Sequence, residues 1–280
     1  PPNILIGSAL GLSFTDFLFH LAPVVLAIMA VLIWMFVHFW GASLIAPMKN
    51  RALVMGINEK DAITDFTLLY KALGVLGAVI AGFTVAEHIG LENGFIALFG
   101  AAVMLLLYTF RVPHGESDEK VEDVLNHVDW TTIFFFTGLF VIVGALEHTG
   151  FLQEVGDYLV EVTGGSIQKS VYVILGVSAV FSAMVDNIPF VATMIPTLKA
   201  MEESLGGREA MMPVWWALSL GACLGGNGTL IGASANVIVA GIAAREGHPI
   251  SFLRFLIWSI PVMVMSVIIA GVFLYLEYFI

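Results

Sequence analysis

The chain has 280 residues, of which 59% are hydrophobic and 12% charged, with 11 basic against 22 acidic side chains. Soluble domains carry about 25% charged residues, so polar side chains cannot cover this chain's surface. A mean hydropathy of +0.95 agrees, and the expected class is an all-α, polytopic membrane protein embedded in a lipid bilayer. The net charge of −11 excludes nucleic acid, which requires a basic face, and the single cysteine, Cys223, excludes an internal disulfide or a multi-cysteine zinc site.

In chain order, Pro1-Pro2-Asn3 followed by an apolar run reads as the interior of a longer chain, with no cleavable leader ahead of it. A span needs about 20 mostly apolar residues. Phe17–Trp40, Ala72–Ile89, Gly94–Phe110, Trp130–Leu152 and Phe252–Ile280 qualify, the second and third joined by a short turn at Gly90–Asn93. Before the fourth span, the acidic run Glu116–Lys120 leads into Val121, Val124, Leu125 and Val128, a helical spacing that predicts a short interfacial helix.

Two further apolar stretches are interrupted. Ser170–Met201 is broken by Val185-Asp186-Asn187-Ile188-Pro189, and Pro213–Ala244 by Gly225-Gly226-Asn227-Gly228-Thr229. Irregular backbone at membrane depth must be buried in protein or line a cavity. The first is therefore read as a re-entrant hairpin, 169–203, with two half-length helices meeting at Asp186-Asn187, and the second as a span, 211–245, unwound at its glycines. With that hairpin, Lys49, Arg51, Lys60, Lys71, Arg111, Lys120, Arg245 and Arg254 share one side, against Lys169, Lys199 and Arg208. The positive-inside rule makes the richer side cytoplasmic and puts the C-terminus outside.

An internal repeat accompanies the breaks. Ser13–Val24 and Ser251–Val262 share six of twelve residues, including the Ser and the Pro-Val that bound them, and each copy is preceded by an Asn-led apolar run, at Asn3 and Asn236. The topology gives the copies opposite orientation, as in secondary transporters built from inverted repeats with discontinuous helices. The expected division is 1–40 as the end of a first repeat, 41–71 as a cytoplasmic linker and 72–280 as the second repeat. The first repeat's own glycine break and hairpin are expected upstream of Pro1.

Asp186 is the one carboxylate well inside an apolar stretch. An acid at mid-membrane costs about 2.5–3.5 kcal/mol on insertion scales and marks a functional site by default. The bland alternative is a cap for a helix starting at Ile188, with Asn187 at the cap and Pro189 in the first turn; both roles can coexist. The glycine run lacks the lysine of a phosphate loop. Its bland alternative is close helix packing, and the functional one is an unwound segment exposing oxygens, followed by a helix from about Leu230. Cys223 reads as a small buried residue, and Glu87-His88 and Glu147-His148 lack metal-ligand spacing. No hydrolase motif is present, and no enzyme is expected.

The stretches Ser182–Phe190 and Gly221–Asn236, with Asp129-Trp130-Thr131-Thr132 and Glu147-His148-Thr149-Gly150, resemble the arsenical-pump, NhaD-type sodium–proton antiporter and P-protein permeases of the ion transporter superfamily. The resemblance covers essentially the whole chain. It implies a citrate-transporter-like fold, a scaffold part that forms a homodimer and a transport part that moves as a rigid body. Relatives that carry dicarboxylates tend to have Ser-Asn-Thr at the hairpin tip, where this chain has Asp186-Asn187-Ile188. A fixed carboxylate repels a dianion, which favours a cation, a proton or a neutral oxyacid.

The expected function is secondary active ion transport in a prokaryotic inner membrane, driven by H⁺ or Na⁺ and needing no cofactor. Arsenite or a similar inorganic ion and Na⁺/H⁺ exchange stand as substrate classes, with a citrate- or dicarboxylate-like anion permease as the alternative. A passive channel and a structural membrane subunit are the competing classes. The candidate ion-binding residues are Asp186, Asn187, Gly225, Gly226, Asn227, Gly228, Thr229, Ser234, Asn236 and Asn3, with Na⁺ placed at Asp186, Asn187, Asn227 and Thr229.

Overall fold

In a computed structural model of the chain, the described residues are 2–41, 65–110 and 114–280, with isolated positions between 45 and 63, and they exclude the side chains of Glu87, His88, Ile89 and His114. Most of the expected linker, with Lys49, Arg51 and Lys60, lies outside them, as does Arg111. Every regular element among the described residues is helical. The helices are α1 (Pro2–Leu10), α2 (Phe14–Trp40), α3 (Phe66–Ile89), α4 (Asn93–Thr109), α5 (His114–Asn126) and α6 (Trp130–His148). There follow α7 (Phe151–Thr163), α8 (Ile167–Met184), α9 (Asn187–Glu202), α10 (Arg208–Gly225), α11 (Ser234–Arg245) and α12 (Phe252–Tyr278). Among the described residues, five helices are long and apolar enough to cross a membrane: α2, Phe66–Ala86 of α3, α6, α8 and α12. The chain is an all-α, polytopic integral membrane protein.

It divides into two compact units. One contains Ser13–Asp16 and Ala30–Thr131. There α3 and α4 pack as a hairpin turned at Gly90, whose φ of +66° suits a residue without Cβ. Helix α3 begins at Phe66, six residues ahead of the expected start of that span at Ala72. The Lys71 ammonium donates to the Leu107 carbonyl at 2.8 Å, satisfying an end-of-helix acceptor across the pair. Helix α5 is the expected short helix, and Lys120 on it lies over the Tyr108 ring, 4.9 Å from its centroid.

The other unit contains residues 1–12, Phe17–Met29 and Thr132–Ile280. Its centre is α10, apolar on every side, with Val214, Trp215, Trp216, Ala217 and Leu218 buried. The expected span Trp130–Leu152 is shorter than predicted: α6 stops at His148, and Gly150, in the left-handed region at φ +79°, starts the separate helix α7. Gly164 and Gly165, also left-handed, turn the chain from α7 into α8.

The α8–α9 pair turns back on itself. Thr163 at the end of α7 accepts from Ser170 near the start of α8, at 3.1 Å between the hydroxyl oxygens, while Gly156 of α7 packs against Thr197, Ala200 and Met201 near the end of α9. A helix of 13 residues, about 20 Å long, reaches both open ends only if the pair is folded at its middle. Across the fold, the Phe181 and Phe190 rings stack at 5.9 Å. Direction agrees: Gly221 packs on Leu175 and Gly225 on Ala179, four residues on in each helix, so α8 and α10 run parallel. Two parallel helices enter from the same side only if α9 returns to it. The arms have 18 and 16 residues, longer than the half-length pieces expected.

The two Ser-led copies are built alike. Ser13 and Ser251 each N-cap a helix of 27 residues, and Pro23 and Pro261 each occupy its tenth position. His20, in the second turn of α2, stands 3.9 Å from Glu277 at the far end of α12. The start of one copy's long helix thus lies beside the end of the other's.

Candidate functional site

Asp186 ends the extended turn after α8, and its carboxylate accepts from the Ile188 backbone N–H at 3.2 Å. The cap is therefore Asp186, not Asn187, which is the first residue of α9. Pro189 falls in the first turn, where its missing N–H costs nothing. One carboxylate oxygen is committed to the cap, and both Asp186 and Asn187 are half-buried.

The glycine run divides into two jobs. A Cβ on Gly225 would lie 2.3 Å from the Ala179 carbonyl oxygen, and one on Gly221 would lie 2.6 Å from that of Leu175. These two glycines, four apart, seat α10 against α8, as small residues do between membrane helices. The packing reading thus holds for Gly225, which is the last residue of α10 rather than part of the unwound segment. The break proper is a single 3-10 turn, Gly226–Gly228, followed by irregular backbone to Ala233. None of its glycines has positive φ. Gly226 and Gly232 are needed because each would drive a Cβ to 2.8 Å from the other's carbonyl oxygen. Helix α11 begins at Ser234, four residues later than the sequence suggested, because tertiary hydrogen bonds hold Thr229–Ala233 off the helical path.

Those bonds form a clamp. The Thr229 hydroxyl donates to the Ala183 carbonyl near the end of α8 and accepts from Gly232 N–H at 3.0 Å. Asn236 donates both amide hydrogens, to the Gly226 carbonyl at 3.1 Å and the Thr229 carbonyl at 3.0 Å. From α12, Ser259 donates to the Gly228 carbonyl at 2.7 Å, and from α8, Ser182 donates to the Ala222 carbonyl at 2.6 Å. The carbonyls of Gly226, Gly228 and Thr229, expected to be exposed, are each already hydrogen-bonded to a side chain. The sequence reading missed Ser182 and Ser259. Their signal was available, since a hydroxyl inside an apolar span has few partners other than a neighbouring helix.

The predicted residues fall into three groups. Asp186 and Asn187 sit at the fold between α8 and α9, joined to the glycine break one turn below by Thr229 and Ala183. No hydrogen bond joins them directly to Asn227 or Thr229 among the described residues. Asn227 and Ser234 are exposed at the break and at the start of α11, whose cap residue, Ala233, offers no side-chain acceptor. The first-turn N–H groups of α11 are thus uncapped by any side chain, whereas those of α9 face the Asp186 carboxylate. Asn3, 216 residues from its partner in sequence, accepts from Ser219 Oγ at 2.8 Å and Cys223 Sγ at 3.5 Å on α10. The Arg208 guanidinium donates to the Leu10 carbonyl, so α1 runs antiparallel to α10 and delivers Asn3 beside the turn that precedes the break.

The CitMHS citrate transporter family matches residues 1–221. Two uncharacterized transporters of Mycobacterium tuberculosis are 39% and 41% identical over 280 residues, the whole of this chain and 63% of each relative. The mouse P protein is 39% identical over 221 residues, which is 76% of the chain and 26% of the P protein. The chain therefore spans less than two thirds of the length of these relatives. No solved structure matches it.

Proposed function

Since the chain belongs to the citrate transporter family of membrane proteins, we propose that it forms part of a secondary active ion transporter in which Asp186 is the coupling group. The observation that carries this reading is the position of Asp186: a carboxylate at the bend between two helices, one oxygen holding the α9 N-terminus and the other without a hydrogen bond among the described residues. It is tied through Ala183 and Thr229 to a second helix break. A membrane acid so placed marks an ion pathway. Protonation of Asp186, or Na⁺ shared among Asp186, Asn187, Asn227 and Thr229, would alter the charge at both breaks together. Arsenite or a similar inorganic ion and Na⁺/H⁺ exchange are the substrate classes that a fixed carboxylate favours.

The second reading is an organic or inorganic anion permease, and a specific feature favours it. The α11 N-terminus at the break has neither an acidic residue nor any side-chain hydrogen bond at its cap, a polarity suited to an oxyanion. The family's citrate transporter description points the same way. In either reading the protein works as a homodimer in a prokaryotic inner membrane, with the C-terminus outside.

The complete protein, reconstituted with an internal pH dye and challenged with Na⁺, Li⁺, arsenite and dicarboxylates, separates these readings. A proton flux elicited by Na⁺, Li⁺ or arsenite supports the first, and one elicited only by dicarboxylates supports the second. Flux that never runs uphill at the expense of a gradient contradicts both.

A further inference from the structure

The amides of Asn3 and Asn236 meet the same helix break from its two ends. Asn3 is the second residue of α1 and Asn236 the third of α11, and each leads its copy of the repeat toward a Ser-capped helix of 27 residues. The two side chains use opposite ends of the amide. Asn236 spends its nitrogen, donating both hydrogens across the break to Gly226 and Thr229. Asn3 uses its oxygen, accepting from Ser219 and Cys223 in the last two turns of α10 before the break. Ser219 is fully buried, so the hydroxyl held by Asn3 has no water to turn to.

We propose that Asn3 and Asn236 are a pair of positioning residues that brace the broken helix α10–α11 on either side of its 3-10 turn, Asn3 through its amide oxygen and Asn236 through its amide nitrogen. Both hydrogens of Asn236 are committed to the backbone, which keeps its amide nitrogen from an anion, and the oxygen of Asn3 is occupied by two donors, which keeps it from a cation. The brace fixes where the Asn227 and Thr229 oxygens stand. It also joins a helix of one repeat copy to the break of the other, so that movement of α1 is felt at the break. This rests on the transport reading only for its flux readout.

The test uses the complete protein in liposomes, with any cysteine outside this chain replaced by serine. Alkylation of Cys223 by N-ethylmaleimide is followed alongside flux. Asn3→Ala frees the thiol and raises the alkylation rate about threefold to tenfold, the worth of one hydrogen bond. Asn3→Asp keeps the acceptor oxygens and restores slow alkylation. At position 236 the pattern inverts: Asn236→Asp loses the N–H donors and lowers the maximal flux as far as Asn236→Ala does, with little change in KM. If Asn3→Ala fails to insert, the isosteric Asn3→Leu reads the same bond. Alkylation unchanged in Asn3→Ala or Asn3→Leu, or full flux in Asn236→Asp, overturns the brace. So does a large KM change for the ion in Asn3→Asp without a change at Cys223, which would make Asn3 a ligand. If the wild type carries no flux but the alkylation pattern holds, the brace stands and the transport reading falls.

Discussion

Replacing Gly225 with alanine tests the packing that carries both breaks. The added Cβ would meet backbone, at 2.3 Å from the Ala179 carbonyl oxygen and 2.6 Å from its Cα, whereas ordinary contact begins near 3.4 Å. Backbone cannot rotate away as a side chain does, so α8 and α10 must separate by about 1 Å, and overpacking of this kind costs about 1–3 kcal/mol. The separation also stretches the Ser182–Ala222 hydrogen bond, now 2.6 Å, whose loss costs about 1 kcal/mol. Alanine's better helix propensity returns about 0.8–1.0 kcal/mol. The net expectation is a destabilisation of about 1–3 kcal/mol, read as a fall of several degrees in the apparent melting temperature of the complete protein in detergent. Gly176→Ala, on the same helix pair but with nothing within 4 Å of the new Cβ, is the control and should be neutral or slightly stabilising. Equal melting temperatures for wild type and Gly225→Ala would refute the reasoning.

Other expectations follow from the same clamp. Gly228→Ala places its Cβ 2.3 Å from Met263 Sδ, the end of a flexible side chain, so its melting temperature should fall less than that of Gly225→Ala. Ser259→Ala removes the donor to the Gly228 carbonyl and should cost about 0.5–1.5 kcal/mol by denaturant titration. Thr229→Val keeps the shape but removes the hydroxyl that joins Ala183 to Gly232; it should cost about 1–3 kcal/mol and reduce flux, while a variant with wild-type flux would separate the clamp from transport.

Much of this was legible in the sequence, and the exceptions share a cause. Both breaks announce themselves locally, because Asp186-Asn187-Ile188-Pro189 combines a cap with a first-turn proline and Gly226-Asn227-Gly228 places three weak helix formers in succession. The Ser13 and Ser251 caps are equally local, and they are where the structure starts its long helices. Helix α7 was missed because its hydrophobic face continued the apolar run of α6, which hid the left-handed turn at Gly150. The start of α11 was misplaced because Thr229–Ala233 is held by Ala183 and Asn236, contacts that no local pattern records. Gly225 was read with the break because adjacent glycines look alike in sequence; only the neighbouring Ala179 backbone distinguishes packing from unwinding. The meeting of Asn3 with Ser219 and Cys223 spans over two hundred residues and required the fold.

The most direct test of the central claim is Asp186→Asn in the complete protein, measured for ion-coupled proton flux in liposomes and for melting temperature in parallel. Asparagine caps a helix about as well as aspartate, so the cap at Ile188 is retained and stability should stay within about 0.5 kcal/mol of wild type. The account predicts an intact melting temperature with coupled flux abolished. Coupling equal to wild type in Asp186→Asn would contradict it, reducing Asp186 to the cap of α9.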